Sequence, residues 1–158
     1  MYRVNGGCHC GNVQLDLELT REPATYRPRA CDCDFCRKHG AAYLSDPQGA
    51  LSIRVRDASD TVNYRQGSGL AECLLCKKCG VMVAVIYRGD DRIIGAVNVK
   101  AIDGLTNFAS EVPVSPKVLS AEEKIARWQD IWFPNVAIVI AEPPAPGKRT
   151  GIRGPVRG

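Results

Sequence analysis

Eight cysteines fall in three tight groups. They read Cys8-His9-Cys10-Gly11, Cys31-Asp32-Cys33-Asp34-Phe35-Cys36 and Cys73-Leu74-Leu75-Cys76-Lys77-Lys78-Cys79-Gly80. Thiols one or two residues apart on a short loop can turn both sulfurs to one metal. Two such pairs from distant parts of a chain complete the tetrahedral thiolate cage that zinc takes. Cys76-Lys77-Lys78-Cys79-Gly80 has the form of a zinc knuckle, whose glycine supplies the positive φ that turns backbone N–H groups toward the sulfurs. Cys8 and Cys10 are its natural second pair, and Lys77 and Lys78 stand where they offset part of the negative charge of a zinc tetrathiolate. Because it joins sequence-distant loops, this site should contribute folding free energy directly.

Cys31, Cys33 and Cys36 can wrap one face of a second zinc and leave its fourth position open, as catalytic zinc sites do. Cys73 or His39 could equally close that position and make the site inert. The residues leave both arrangements open. Disulfides fit poorly, since cysteines separated by one residue pair badly with each other. No apolar run precedes Cys8 as a signal peptide would require, so a reducing, cytoplasmic compartment is the expectation.

The positioning elements follow from the hydrophobic pattern. Val13, Leu15, Leu17 and Leu19 alternate with polar residues, as do Leu51, Ile53 and Val55, the period of half-buried strands. Residues 81–87 form a continuous apolar run suited to a strand covered on both faces. Residues 92–99 and 136–140 read as two further strands, with turns around Gly67, Gly69 and Gly89. Ser120 and Glu123 form a capping box opening a helix from Ala121 to about Asp130. The fold class is therefore mainly β, a single small domain of mostly antiparallel strands with one short late helix.

Composition narrows the function classes. A chain of 158 residues, 45% hydrophobic and 24% charged, suits one globular domain. No apolar run is long enough to cross a membrane. The formal net charge of +4 equals the four cations of the Pro- and Gly-rich end, Lys148, Arg149, Arg153 and Arg157. Residues 1–142 are thus nearly neutral and form the expected domain, with 143–158 a solvated basic tail, and a nucleic-acid-binding face is not indicated.

Gly7-Cys8-His9-Cys10-Gly11, Cys31-x-Cys33-x-x-Cys36-Arg37 with Gly40, and Cys76-x-x-Cys79-Gly80 resemble the glutathione-dependent formaldehyde-activating enzymes and their centromere protein V relatives. Gly95-Ala96-Val97 with Ile102-Asp103 resembles that family's glycine-containing strand and turn. The resemblance covers about residues 5–140 and implies a folded-over β sandwich, or β-tent. It implies a structural zinc on Cys8, Cys10, Cys76 and Cys79 and a catalytic zinc on Cys31, Cys33 and Cys36. It further implies joining a thiol, glutathione, to formaldehyde or a similar aldehyde, with Arg37 and Lys38 placed to meet glutathione's carboxylates or simply solvated. Zinc would activate the thiol and hold it beside the aldehyde, as in a carbon–sulfur lyase of the S-(hydroxymethyl)glutathione synthase type. The alternatives are a non-catalytic zinc module with both sites closed and a methionine sulfoxide reductase, whose zinc is usually held by two C-x-x-C pairs.

Asp32 stands where many members carry histidine, and with Asp34 it makes the triad loop acidic, which disfavours an anionic thiolate nearby. Cys73 is an additional thiol. His9 should point away from the first metal. Trp128, Trp132 and Phe133 read as core that could also wall a cleft near the triad.

Overall fold

The computed structural model describes residues 1–104 and 107–142, so the basic tail lies outside the described residues. Among the described residues, eleven strands and two α-helices follow in chain order. They are β1 (Tyr2–Gly7), β2 (Val13–Leu19), β3 (Arg29–Cys31), α1 (Asp34–His39), β4 (Ala42–Leu44), β5 (Ala50–Val55) and β6 (Thr61–Tyr64). Then come β7 (Glu72–Cys76), β8 (Met82–Arg88), β9 (Ile93–Asn98), β10 (Val112–Val114), α2 (Ala121–Ile131) and β11 (Ala137–Ile140).

The alternation in β2 and β5 does what a half-buried strand requires. Val13, Leu15, Leu17 and Leu19 are almost wholly buried, and so are Leu51 and Ile53, which β2 meets in antiparallel register. These strands form the middle of a four-stranded sheet ordered β1-β2-β5-β11. A seven-stranded sheet, ordered β10-β3-β4-β9-β8-β7-β6, faces it. The continuous apolar run of β8 is explained by cover on both sides. Val83 and Ile86 join the core shared with the small sheet, while Met82 and Val85 pack with Trp128 and Trp132. The mainly β fold of two sheets is as expected.

Two features differ from that expectation. A second helix, α1, carries Cys36, and at six residues it is too short to show a helical hydrophobic period. Two strand pairings are parallel, β10 with β3 and β11 with β5, because both late strands return to an edge beside an early one. The late helix runs Ala121–Ile131 with the capping box complete at Ser120 and Glu123. Its exit is tied back to the sheet, since Phe133 and Gly95 exchange both backbone hydrogen bonds at 2.9 and 3.1 Å. A side chain at Gly95 would stand 3.0 Å from the Val85 carbonyl and 3.3 Å from the Val136 side chain, so glycine suits the close packing there.

Candidate metal centres and the cavity between them

The first centre forms where the β1–β2 loop of the small sheet meets the β7–β8 turn of the large one. The Sγ atoms of Cys8, Cys10, Cys76 and Cys79 all lie within 4.8 Å of one another. Cys10 Sγ is 3.7 Å from Cys8 Sγ and 3.4 Å from Cys76 Sγ. A tetrahedral zinc with Zn–S bonds of about 2.3 Å spaces its sulfurs by about 3.8 Å, so the four thiols fit the ion. Gly80 takes the expected positive φ of 75°, and its N–H donates to the Cys76 carbonyl at 2.9 Å. The Val13 N–H donates to Cys8 Sγ at 3.2 Å. Burial pushes the Cys76 thiol up to about 12. Burial also acts against the Cys79 thiolate, yet the amides of Val81 and Cys10 outweigh it and hold Cys79 down to about 6. Lys78 pairs with Asp60 at 3.0 Å. His9 is exposed and outside the cluster, as alternation predicted.

The second centre is built on the β3–α1 corner. Cys31 ends β3, and Cys33 caps α1 by accepting the Cys36 N–H at 3.4 Å. Cys36, one turn on, points inward; all three Sγ atoms lie within 4.8 Å of one another. Tyr43, buried on β4, sets its hydroxyl 3.1 Å from Cys36 Sγ and 3.7 Å from Met82 Sδ. The Cys36 thiol holds Cys31 down to about 6 against the effect of burial, and the same contact together with burial pushes Cys36 up.

Of the two groups able to close this site, neither Cys73 nor His39 falls within the three-sulfur cluster, but Cys73 lines the same cavity. Cys73 is buried on β7, and burial pushes it up to about 12. His39 packs on Phe35, with ring centroids 4.6 Å apart. The acidity of the loop is also answered locally. Asp32 accepts hydrogen bonds from Ser115 and from Lys117, which lies 3.4 Å away, and these hold its carboxyl below the usual carboxylate range.

A cavity of about 140 Å³ opens over Cys31, Cys33 and Cys36. One face of α2 closes it: Lys124, Arg127, Trp128 and Ile131 recur at helical spacing, and all four line the cavity. Trp128 stacks on Trp132 at 4.7 Å, so the aromatic residues read as core do wall the cleft, whereas Phe133 is wholly buried between the sheets. Arg37 and Lys38 do not line it. They follow Cys36 on α1, and the rotation that turns Cys36 inward leaves both exposed. The cavity's cations are instead Arg29, Lys117, Lys124 and Arg127. The Arg29 guanidinium donates to Ser45 Oγ at 2.5 Å, and burial, then the neighbouring Arg127, lower its pKa to about 10. Sequence reasoning missed these residues and Tyr43. The spacing of Lys124, Arg127, Trp128 and Ile131 was the signal that could have found part of the set.

The family model of the glutathione-dependent formaldehyde-activating enzyme matches residues 3–116. The chain belongs to that family. The match takes in all eight cysteines and ends before α2. A solved structure described as a Rhodobacter sphaeroides protein from a structural genomics programme is 31% identical. That comparison covers 64% of this chain and 89% of the other, with a TM-score of 0.48. The family is associated with glutathione-dependent formaldehyde activation, and the two cysteine clusters are compatible with zinc. No helix among the described residues is long and apolar enough to cross a membrane.

Proposed function

We propose that the chain is a zinc-dependent carbon–sulfur lyase of the S-(hydroxymethyl)glutathione synthase type. The observation that carries this reading is the three-sulfur cluster of Cys31, Cys33 and Cys36 lining a cavity, with Cys73 on the cavity wall but not among the clustered sulfurs. Cys8, Cys10, Cys76 and Cys79 would hold a structural zinc, and Cys31, Cys33 and Cys36 a catalytic one. Zinc held by these three thiolates would supply a Lewis-acidic open position that lowers the pKa of a substrate thiol and holds it.

The chain's own residues do the rest. Cys33 caps α1 and thereby fixes the aim of Cys36, and Tyr43 holds the Cys36 sulfur from behind. Trp128 and Trp132 keep water from one wall. Arg29, Lys124 and Arg127 attract an anionic thiol to the mouth. In the reaction the glutathione sulfur attacks the formaldehyde carbon and forms the S–C bond. The carbonyl π pair moves to oxygen, which gains the proton that the thiol lost, so nothing is oxidised or reduced. The enzyme contributes thiol activation and proximity.

The test is the exchange rate among glutathione, formaldehyde and their adduct, read by NMR with the zinc-loaded protein and with Cys36→Ser. Acceleration by the parent alone is expected. Equal exchange with parent, variant and buffer would remove the assignment.

A further inference from the structure

The cavity brings four cations from three segments to one place: Arg29 on β3, Lys117 ahead of α2, and Lys124 and Arg127 on α2. Lys117 is matched by Asp32. Among the described residues, no carboxylate lies within 4.0 Å of Arg29, Lys124 or Arg127. All three are partly buried, and the Arg29 guanidinium reaches only a neutral partner, Ser45 Oγ. Cations withdrawn from water without a counter-charge destabilise the fold unless an anion is bound there. A zinc held by three thiolates carries one net negative charge, which is fewer than the three cations require. The surplus lines the cavity over the three sulfurs.

We propose that Arg29 and Arg127 form a clamp for a carboxylate of the thiol co-substrate, so that the site selects acidic thiols over neutral ones. Planar guanidinium groups suit this role because each can donate two parallel hydrogen bonds to one carboxylate. Arg29 is fixed by Ser45, whose hydroxyl donates in turn to the Ile131 carbonyl at 2.6 Å at the end of α2. That bridge sets the two clamp residues relative to each other, one on the strand that ends in Cys31 and one on the helix. Arg127 lies beyond the residues matched by the family model. The inference deepens the thiol–aldehyde reading and rests on it.

The test uses the chain's two tryptophans, both of which line the cavity. Their fluorescence in the zinc-loaded protein is titrated with glutathione and with glutathione diethyl ester at about 0.15 M salt, where distant charges are screened. The ester should bind on the order of tenfold more weakly, the effect of a lost charge-assisted hydrogen bond. Arg127→Gln should weaken glutathione to the level of the ester and leave the ester unchanged, while Arg127→Lys should recover part of the difference. Equal binding of acid and ester by the parent, or no binding of either, overturns the clamp. So does an Arg127→Gln protein that loses zinc yet keeps the acid–ester difference, since the cation would then serve only the thiolates. The NMR exchange assay reads the thiol–aldehyde reading separately: accelerated exchange beside equal acid and ester binding refutes the clamp alone.

Discussion

Cys36 shows how much of a ligand's aim comes from its neighbours. Its backbone is fixed by the Cys33 cap and its sulfur by the Tyr43 hydroxyl at 3.1 Å. Tyr43→Phe removes that hydrogen-bond partner and should lower the rate of adduct formation while costing about 1 kcal/mol of stability, the usual net worth of one hydrogen bond. Denaturant unfolding alongside the rate assay checks both. The two centres should also part company under substitution. Cys36→Ser should abolish activity with a small change in melting temperature, whereas Cys79→Ser should unfold the protein, as circular dichroism and zinc content would show. Equal behaviour of the two variants would contradict the division between a structural and a catalytic site. At this scale the sequence was most legible, because ligand spacing is local: C-x-C, C-x-C-x-x-C and C-x-x-C define the two clusters that the fold assembles. What local spacing could not show is that the charge of Asp32 is taken up by Ser115 and Lys117, more than eighty positions away.

Among the elements, α2 connects stability to the cavity. Its capping box is complete, so Ser120→Ala should cost about 1 kcal/mol. Because one face of the same helix carries Lys124, Arg127 and Trp128, the KM for glutathione should rise more than kcat falls. Asp46 fastens elements of the two sheets. It accepts hydrogen bonds from the Thr20 amide and hydroxyl just past β2, from the Tyr26 hydroxyl, and from the Gln48 amide beyond β4. Burial pushes its carboxyl up, but these donors together outweigh it and hold the pKa near 2. A carboxyl depressed on folding stabilises fully above its unfolded pKa of 3.8, and the contribution is lost as the pH falls toward 2. Asp46→Asn should therefore cost about 2 kcal/mol at pH 7 and have little effect near pH 2, read as unfolding midpoints across pH. Long alternating segments such as β2 and β5 announced themselves. The three-residue strands β3, β4 and β10 are too short to carry a period, and β7 is buried at four of its five positions, which erases alternation. Helix α1 is hidden for the same reason of length.

In the whole molecule the first centre staples the small sheet to the large one, since Cys8 and Cys10 follow β1 while Cys76 and Cys79 flank the β7–β8 turn. Chelation should lower the melting temperature sharply and restore it on adding zinc, because the metal's binding free energy is part of the folding free energy. A melting curve indifferent to chelator would contradict that role. The second centre sits on the other side of the large sheet, beneath α2, where loss of its metal should leave the two-sheet core in place. Arg29 comes from β3 and Arg127 from α2, nearly a hundred residues apart, so their convergence could be found only once the sheet order was known. The central claim is that Cys31, Cys33 and Cys36 leave a fourth position open to a substrate thiol. Cobalt in place of zinc reports it most directly, because thiolate-to-cobalt charge-transfer absorption grows with each sulfur bound. Titrating glutathione into the cobalt-loaded protein should add the intensity of one further thiolate per chain, and Cys73→Ser should leave the starting spectrum unchanged. A spectrum that ignores glutathione and loses one thiolate in Cys73→Ser would mean that the site is closed by the protein itself.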